Sequence, residues 1–167
     1  MSPAARVRAG HFFIAALVVL LDRLTKILAA RNIELNVGSI TIIQNCFSLT
    51  HVENPGAAFS LMANAPPALR LGVLVAFSSV AMLVVAWLLW RHGTRMHWTT
   101  AALALVLGGA CGNLWDRLLR HRVTDFLHVY WRNYSWPDFN LADSSIVVGA
   151  TVLIAGIVFG AKRGGQQ

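Results

Sequence analysis

Apolar stretches alternate with short polar connections along this chain, and the alternation predicts four helices. The first apolar run, residues 12–21, is unbroken and meets Asp22-Arg23-Leu24-Thr25-Lys26, which places a helix over residues 11–30. The second contains twenty uncharged residues, 71–90, enough to cross a bilayer, and predicts a helix over 68–90. The third and fourth fall at 98–118 and 141–161. Between the first and second helices, residues 37–43 and 47–52 are rich in β-branched and apolar residues. Gln44-Asn45-Cys46 separates them as a turn, so a small sheet is expected there. Open strand edges cannot face lipid, so that sheet must lie outside the hydrocarbon. The connection between the third and fourth helices, 121–137, carries His128, Tyr130, Trp131, Tyr134 and Trp136, and reads as a segment lying at the membrane interface, His128 included.

Composition makes this a membrane pattern. The chain of 167 residues is 56% hydrophobic and only 13% charged, about half the charged share of a water-soluble domain. A single domain, 1–167, is expected. The net charge of +7 does not point to nucleic acid, because the basic residues flank apolar runs instead of forming one face. It points to anionic lipid headgroups. Trp87, Trp90 and Trp98 bracket the basic loop 91–97 as an interfacial belt would. Arg6 and Arg8 before the first apolar run resemble a secretory signal, but no small-residue cleavage site follows, so the first helix is read as retained. Four spans put both termini on one side. Arg6, Arg8, Arg91, Arg95, Lys162 and Arg163 on that side balance Arg31, Arg70, Arg117, Arg120, Arg122 and Arg132 on the other, and orientation is left open. Cys46 and Cys111 read as unpaired thiols.

The polar exceptions carry the chemistry. Asp116, Asp125 and Asp143 are three of only seven acidic residues, and they cluster near membrane boundaries. A carboxylate there is costly unless something uses or satisfies it. Asp22 and Lys26 stand at i and i+4 on one helix face, either as a local ion pair with Lys26 snorkelling or as a support for a site. Pro55-Gly56 is a turn that would present Asn54. Asn113 precedes Asp116 by three residues and Arg117 by four, so all three can face one crevice, with an Asp116–Arg117 pair at the helix end. Asn140 reads as an N-cap with Asp143 at N3, which gives Asp143 a capping role of its own. Zinc spacing, phosphate loops and a serine elbow are not found in the sequence, and neither metal nor cofactor is implied. Asp125 and Asp143 remain as a carboxylate pair that a returning loop can bring together. Such a pair shares a proton, so one member can activate water while the other protonates a carbonyl or amine.

Five short motifs then fall in a recognisable order: DRLTK at 22–26, NPGAAFS at 54–60, GNLWDR at 112–117, VTDF at 123–126 and FNLAD at 139–143. In this order the chain resembles lipoprotein signal peptidase, the type II signal peptidase of bacteria. The resemblance implies a polytopic α-helical membrane protein with four transmembrane helices and a small extracytoplasmic sheet between helices one and two. It implies an intramembrane aspartyl peptidase that cuts prolipoproteins before a diacylglyceryl-modified cysteine, with Asp125 and Asp143 as the dyad. Asp22, Asn54, Gly56, Asn113, Asp116, Arg117, Asn140 and Ala142 would support the dyad or bind substrate, with Lys26 beside Asp22. It implies an inner-membrane protein with cytoplasmic termini and a site near the outer face, and a monomer is expected, with membrane lipids and the lipidated precursor as partners. One position departs from the family: His121 stands where a glycine is common, and histidine enters φ > 0 less readily. Two other classes compete on the residues alone. A transporter would spread its carboxylates through the membrane depth, and a structural subunit would leave the Asp125–Asp143 pairing as coincidence.

Overall fold

The computed structural model describes residues 1–56 and 66–164, and the side chains of the last helix as far as Phe159. Residues 57–60 of the NPGAAFS motif, the tail 165–167 and the side chains of Lys162 and Arg163 lie outside the described residues. Four helices and four strands follow in the order α1 (Pro3–Asn32), β1 (Ser39–Ile43), β2 (Phe47–Asn54), α2 (Pro67–His92), α3 (Trp98–Arg120), β3 (Val123–Trp131), β4 (Tyr134–Ser135) and α4 (Leu141–Gly164).

The helix ends follow local chemistry. α1 begins eight residues before the expected start because Ser2 caps it, its Oγ accepting from Ala5 N at 3.2 Å, and Pro3 sits at N1. α2 likewise opens on Pro67. α3 ends at His121, which takes the left-handed conformation, φ 59°, that a C-cap needs. The departure from glycine at 121 therefore leaves the loop's path intact and places a strained histidine in it.

α2 and α4 are each long and apolar enough to cross a membrane. α1 and α3 carry charged and amide residues, many of them buried, in their C-terminal halves. α3 is central and packs against the other three helices. Ala15, Leu89, Ala104 and Leu107 form the buried core of that packing. Its small residues let backbones approach. A Cβ at Gly108 would lie 2.7 Å from the Ala15 carbonyl on α1, and one at Gly112 would lie 2.8 Å from the Asp22 carboxylate. Leucine, valine and phenylalanine side chains are instead exposed around the outside, as in Phe13, Leu28, Phe77, Leu83 and Phe159.

The sheet corrects the expected architecture. β1 and β2 form where the β-rich segments predicted them, but they pair onward with β3 and β4 in one antiparallel sheet of order β1-β2-β3-β4. The connection between α3 and α4 is therefore a nine-residue strand, and the sheet is built from both long connections. The aromatic residues of 121–137 hid this strand, because its pairing partner lies some seventy residues earlier. The register sets Val52 opposite Asp125 and Asn54 opposite Val123. Asn54 and Asp125 are thus diagonal neighbours on one face of the sheet.

Candidate active site

Asp125 and Asp143 reach one site from different kinds of element. Asp125 is the third residue of β3, four residues after the α3 cap at His121. Asp143 sits in the first turn of α4. There Asp143 N donates to Asn140 Oδ1 at 2.9 Å and Asn140 N donates to Asp143 Oδ2 at 3.3 Å, a reciprocal capping box. The capping reading of Asp143 is therefore correct, and it coexists with the site: the cap fixes the carboxylate that faces Asp125.

Three asparagines hold the two carboxyls, and their amide orientations follow from their partners. Asn140 Oδ1 accepts from a backbone N–H, so its Nδ2 is the group turned to Asp125 Oδ1, at 2.7 Å. Asn54 Oδ1 accepts from Gly56 N at 2.8 Å, closing the predicted turn, so its Nδ2 donates to Asp125 Oδ2 at 3.0 Å. Gly56 makes that turn at φ 95°, a conformation that favours glycine, and a Cβ there would strike Leu74. Asn113 Oδ1 accepts from Lys26 Nζ at 3.2 Å, so its Nδ2 donates to Asp143 Oδ1 at 2.7 Å. Each asparagine has its carbonyl fixed by a donor and its amide aimed at a carboxylate.

Asp125 is only 2% exposed. Burial, with the charge of Asp143 adding to it, pushes its carboxyl up to about 7, against the hydrogen bonds from Asn54 and Asn140 that favour the ionised form. Asp125 therefore holds its proton to a higher pH than an ordinary carboxyl does.

Beneath the asparagines lies a buried ion network. Lys26, 1% exposed, stands 2.8 Å from Asp22 Oδ2 and 2.7 Å from Asp116 Oδ2. Asp22 Oδ1 accepts from Ala142 N at 3.0 Å, which occupies a free N–H of the first turn of α4 and gives Ala142 its place by its backbone. The fully buried Ala142 side chain leaves room for this approach. Lys26 is thus a buried support and does not snorkel.

Asp116 corrects a second expectation. It pairs with Lys26 and with Arg23, not with Arg117. Adjacent helical residues point about 100° apart, so Asp116 turns to α1 while Arg117 turns elsewhere. Arg117 is near enough to Asp143, Asp125 and Asp116 for their charges to act on it. All eleven predicted site positions thus fall in or beside one cluster.

Sequence reading missed Arg23, although its place one turn before Lys26 was a usable signal. It also missed the back of the β3 strand. There Glu53 Oε1 lies 3.1 Å from Arg120 and 3.3 Å from Thr124 Oγ1, a clamp that only the β2–β3 register creates. On the outer surface Ser135 Oγ stands 3.3 Å from His128 Nε2, whose Nδ1 is 3.1 Å from Asp138 Oδ1. Thr50 donates to the same Asp138 oxygen at 2.6 Å. Ser135 is exposed, and this chain of bonds ties the loop before α4 to β2 and β3. Among the described residues no group of three or more His, Cys, Asp or Glu side chains is placed to hold a metal ion.

The chain matches a family model described as signal peptidase (SPase) II over residues 14–159. Among curated proteins, the lipoprotein signal peptidase of Paraburkholderia phymatum is 43% identical over 152 residues, 91% of this chain and 89% of that one. The lipoprotein signal peptidases of Geobacter sulfurreducens (41%, covering 87% of this chain and 89% of that one) and Solibacter usitatus (38%, 84% and 85%) are similar over nearly the same extent. Of solved structures, a bacterial membrane enzyme determined by the in meso method at 2.3 Å resolution superposes with a TM-score of 0.82. That match covers 95% of this chain and 93% of the other at 23% identity, so it bears on the fold alone.

Proposed function

The chain belongs to the signal peptidase II family, a family of proteases, and from that premise we propose that Asp125 and Asp143 are the catalytic pair of an aspartyl endopeptidase. Its substrates are prolipoproteins, cut on the N-terminal side of a cysteine that carries diacylglycerol. The observation that carries this reading is Asn140: one side chain caps Asp143 through Oδ1 and holds Asp125 through Nδ2 at 2.7 Å. Two carboxyls tied to one amide, one of them raised to about 7, suit a dyad that shares a proton. Protonated Asp125 donates to the scissile carbonyl oxygen. Asp143 accepts a proton from the attacking water, and a tetrahedral diol forms. As the C–N bond breaks, Asp143 passes its proton to the leaving amine, Asp125 takes a proton back from a diol hydroxyl as the carboxylic acid forms, and the dyad returns to its starting state. Asn54, Asn113 and Asn140 keep both carboxyls in place through the cycle.

The lipid anchor of the substrate supports the same reading. It holds the scissile bond at headgroup depth, where the dyad lies at the outer ends of the helices, and remote binding energy then positions the bond. The protein works as a monomer with four spans, its termini cytoplasmic and its sheet outside. The transporter alternative gains nothing from the geometry, since Asp22, Asp116, Asp125 and Asp143 all cluster at one end of the helices.

The test is cleavage of a diacylglyceryl-modified precursor by purified protein in detergent. Asp125→Asn and Asp143→Asn should each lower turnover by roughly a thousandfold or more while the proteins stay folded. Near-normal turnover in either variant, or complete loss of the parent's activity on metal removal, would overturn the mechanism. Failure to cleave the unlipidated precursor is expected, and equal cleavage of both forms would overturn the substrate assignment.

A further inference from the structure

A cavity of about 520 Å³ opens near the dyad at the same end of the helices. Glu53, Pro55, Arg70, Leu71, His121 and Arg122 line it, together with the first residues of α2. Its charges do not cancel. Glu53 is committed to Arg120 at 3.1 Å, and Arg122 Nε stands 4.0 Å from its other oxygen. Arg70 has no ion-pair partner among the described residues. Arg120, outside the lining, already answers Glu53, so the two lining arginines, Arg70 and Arg122, are left in excess at the rim. Arg122 is 55% exposed, and its terminal amines are not committed to a described partner. A guanidinium held at Nε presents the forked donors that fit phosphate oxygens.

The floor is apolar, with Pro55, Pro67, Ala68 and Leu71. Arg70 stands between that floor and the outer face of α2, where Leu69, Val73, Phe77 and Val80 are exposed on a helix able to cross a membrane. A cation at the edge between an apolar cavity and the exposed apolar face of a helix able to cross a membrane matches a molecule with a phosphate head and acyl tails. We propose that this pocket binds the headgroup of an anionic phospholipid, with the phosphodiester on Arg70 and Arg122 and the acyl chains along α2. A soluble anion would use the arginines but would gain nothing from that apolar face. The occupant would lie against Pro55, next to Asn54, and so against the turn that holds Asp125.

Binding can be read without any cleavage assay, so its outcome is independent of the peptidase reading. Purified protein in neutral detergent is titrated with phosphatidylglycerol or phosphatidylcholine, and lipid retention is followed by native mass spectrometry. Each interfacial arginine should contribute roughly fivefold in affinity. Arg70→Gln should weaken phosphatidylglycerol retention about fivefold, and the Arg70→Gln/Arg122→Gln pair roughly 25-fold. Retention of phosphatidylcholine should hardly change, and Arg31→Gln, at an exposed site on the same end of the molecule, should behave as the parent. The Arg70 side chain makes no described bond in the fold, so its single variant answers the question even if the double variant folds poorly. Equal retention of the two lipids, or unchanged phosphatidylglycerol retention in Arg70→Gln, would overturn the proposal. Displacement of the lipid by millimolar inorganic phosphate would reassign the pocket to a soluble anion, and displacement by a short acidic peptide at still lower concentration would reassign it to a peptide; either outcome overturns the lipid.

Discussion

A single residue, Asp125, joins stability to the proposed function. Its carboxyl has an ordinary value of 3.8 and is raised to about 7 in the fold. A raised value means that the folded state holds the proton more tightly than the unfolded chain. The stability this contributes is complete below about 4 and is lost as pH rises toward 7. Asp125→Asn removes the buried charge, so the variant should melt higher than the parent at pH 8, with the gap closing toward pH 5. Thermal melts at the two pH values measure this, and a parent that is the more stable of the two at pH 8 would show that the carboxyl is not under strain. Turnover should fall on the alkaline side as the shared proton is lost. The asparagines make a different prediction. Asn54→Ala and Asn113→Ala remove one amide donor from Asp125 and Asp143 respectively. Turnover should drop roughly 100-fold, more than the yield of folded protein does, because a small misplacement of a reacting group costs rate first. Parallel loss of yield and activity would mark both as structural. Lys26 is the contrasting case. Lys26→Met leaves Asp22 and Asp116 buried without their shared cation and should cost about 3–5 kcal/mol of stability. That loss would be read as a collapse in folded yield.

At the scale of elements, the site depends on where α3 stops and α4 starts. α3 ends because His121 turns left-handed at φ 59°, and the chain then enters β3 with Asp125 on the sheet face shared by Asn54. A non-glycine residue there costs about 1–2 kcal/mol, offset in part by the entropy a glycine would lose. His121→Gly should therefore leave the loop unchanged and raise stability by up to about 1 kcal/mol, seen as a small upward shift of the melting curve in detergent. A marked loss of stability would mean that the ring makes a contact worth more than the strain. α4 starts where Asn140 caps it, and the same cap aims Asp143. The Asn140 capping box was legible from sequence spacing alone. β3 was not legible, since a strand paired to a distant segment is specified by its partner and not by its own composition.

For the whole molecule, the N-terminus of α1, the α2–α3 loop and the far end of α4 gather at one end. Arg8 stacks over Trp90 there at 5.1 Å and Arg91 over Trp87 at 5.7 Å. The sheet and the Asp125–Asp143 pair lie at the other end. A reporter fused after Gln167 should therefore signal from the cytoplasm, and one placed in the connection between α1 and β1 from outside. Opposite signals would invert the orientation, and like signals would rule out the four-span arrangement.

The sequence by itself determined the four helices, the membrane class and the family, and it named the positions that gather around Asp125 and Asp143. Each rests on information local to the chain: apolar run length, caps, turns and short ordered motifs. Tertiary structure decided which charge answers which. Asp116 belongs to Lys26 and Arg23 across the α1–α3 contact because glycines at 108 and 112 let those helices close. Asn54 belongs to Asp125 because the β2–β3 register makes them diagonal neighbours. Ala142 matters through its backbone N–H, which no side-chain pattern can announce. Partners between seventy and one hundred and twenty residues apart are chosen by packing distance, and packing distance is a property of the folded chain.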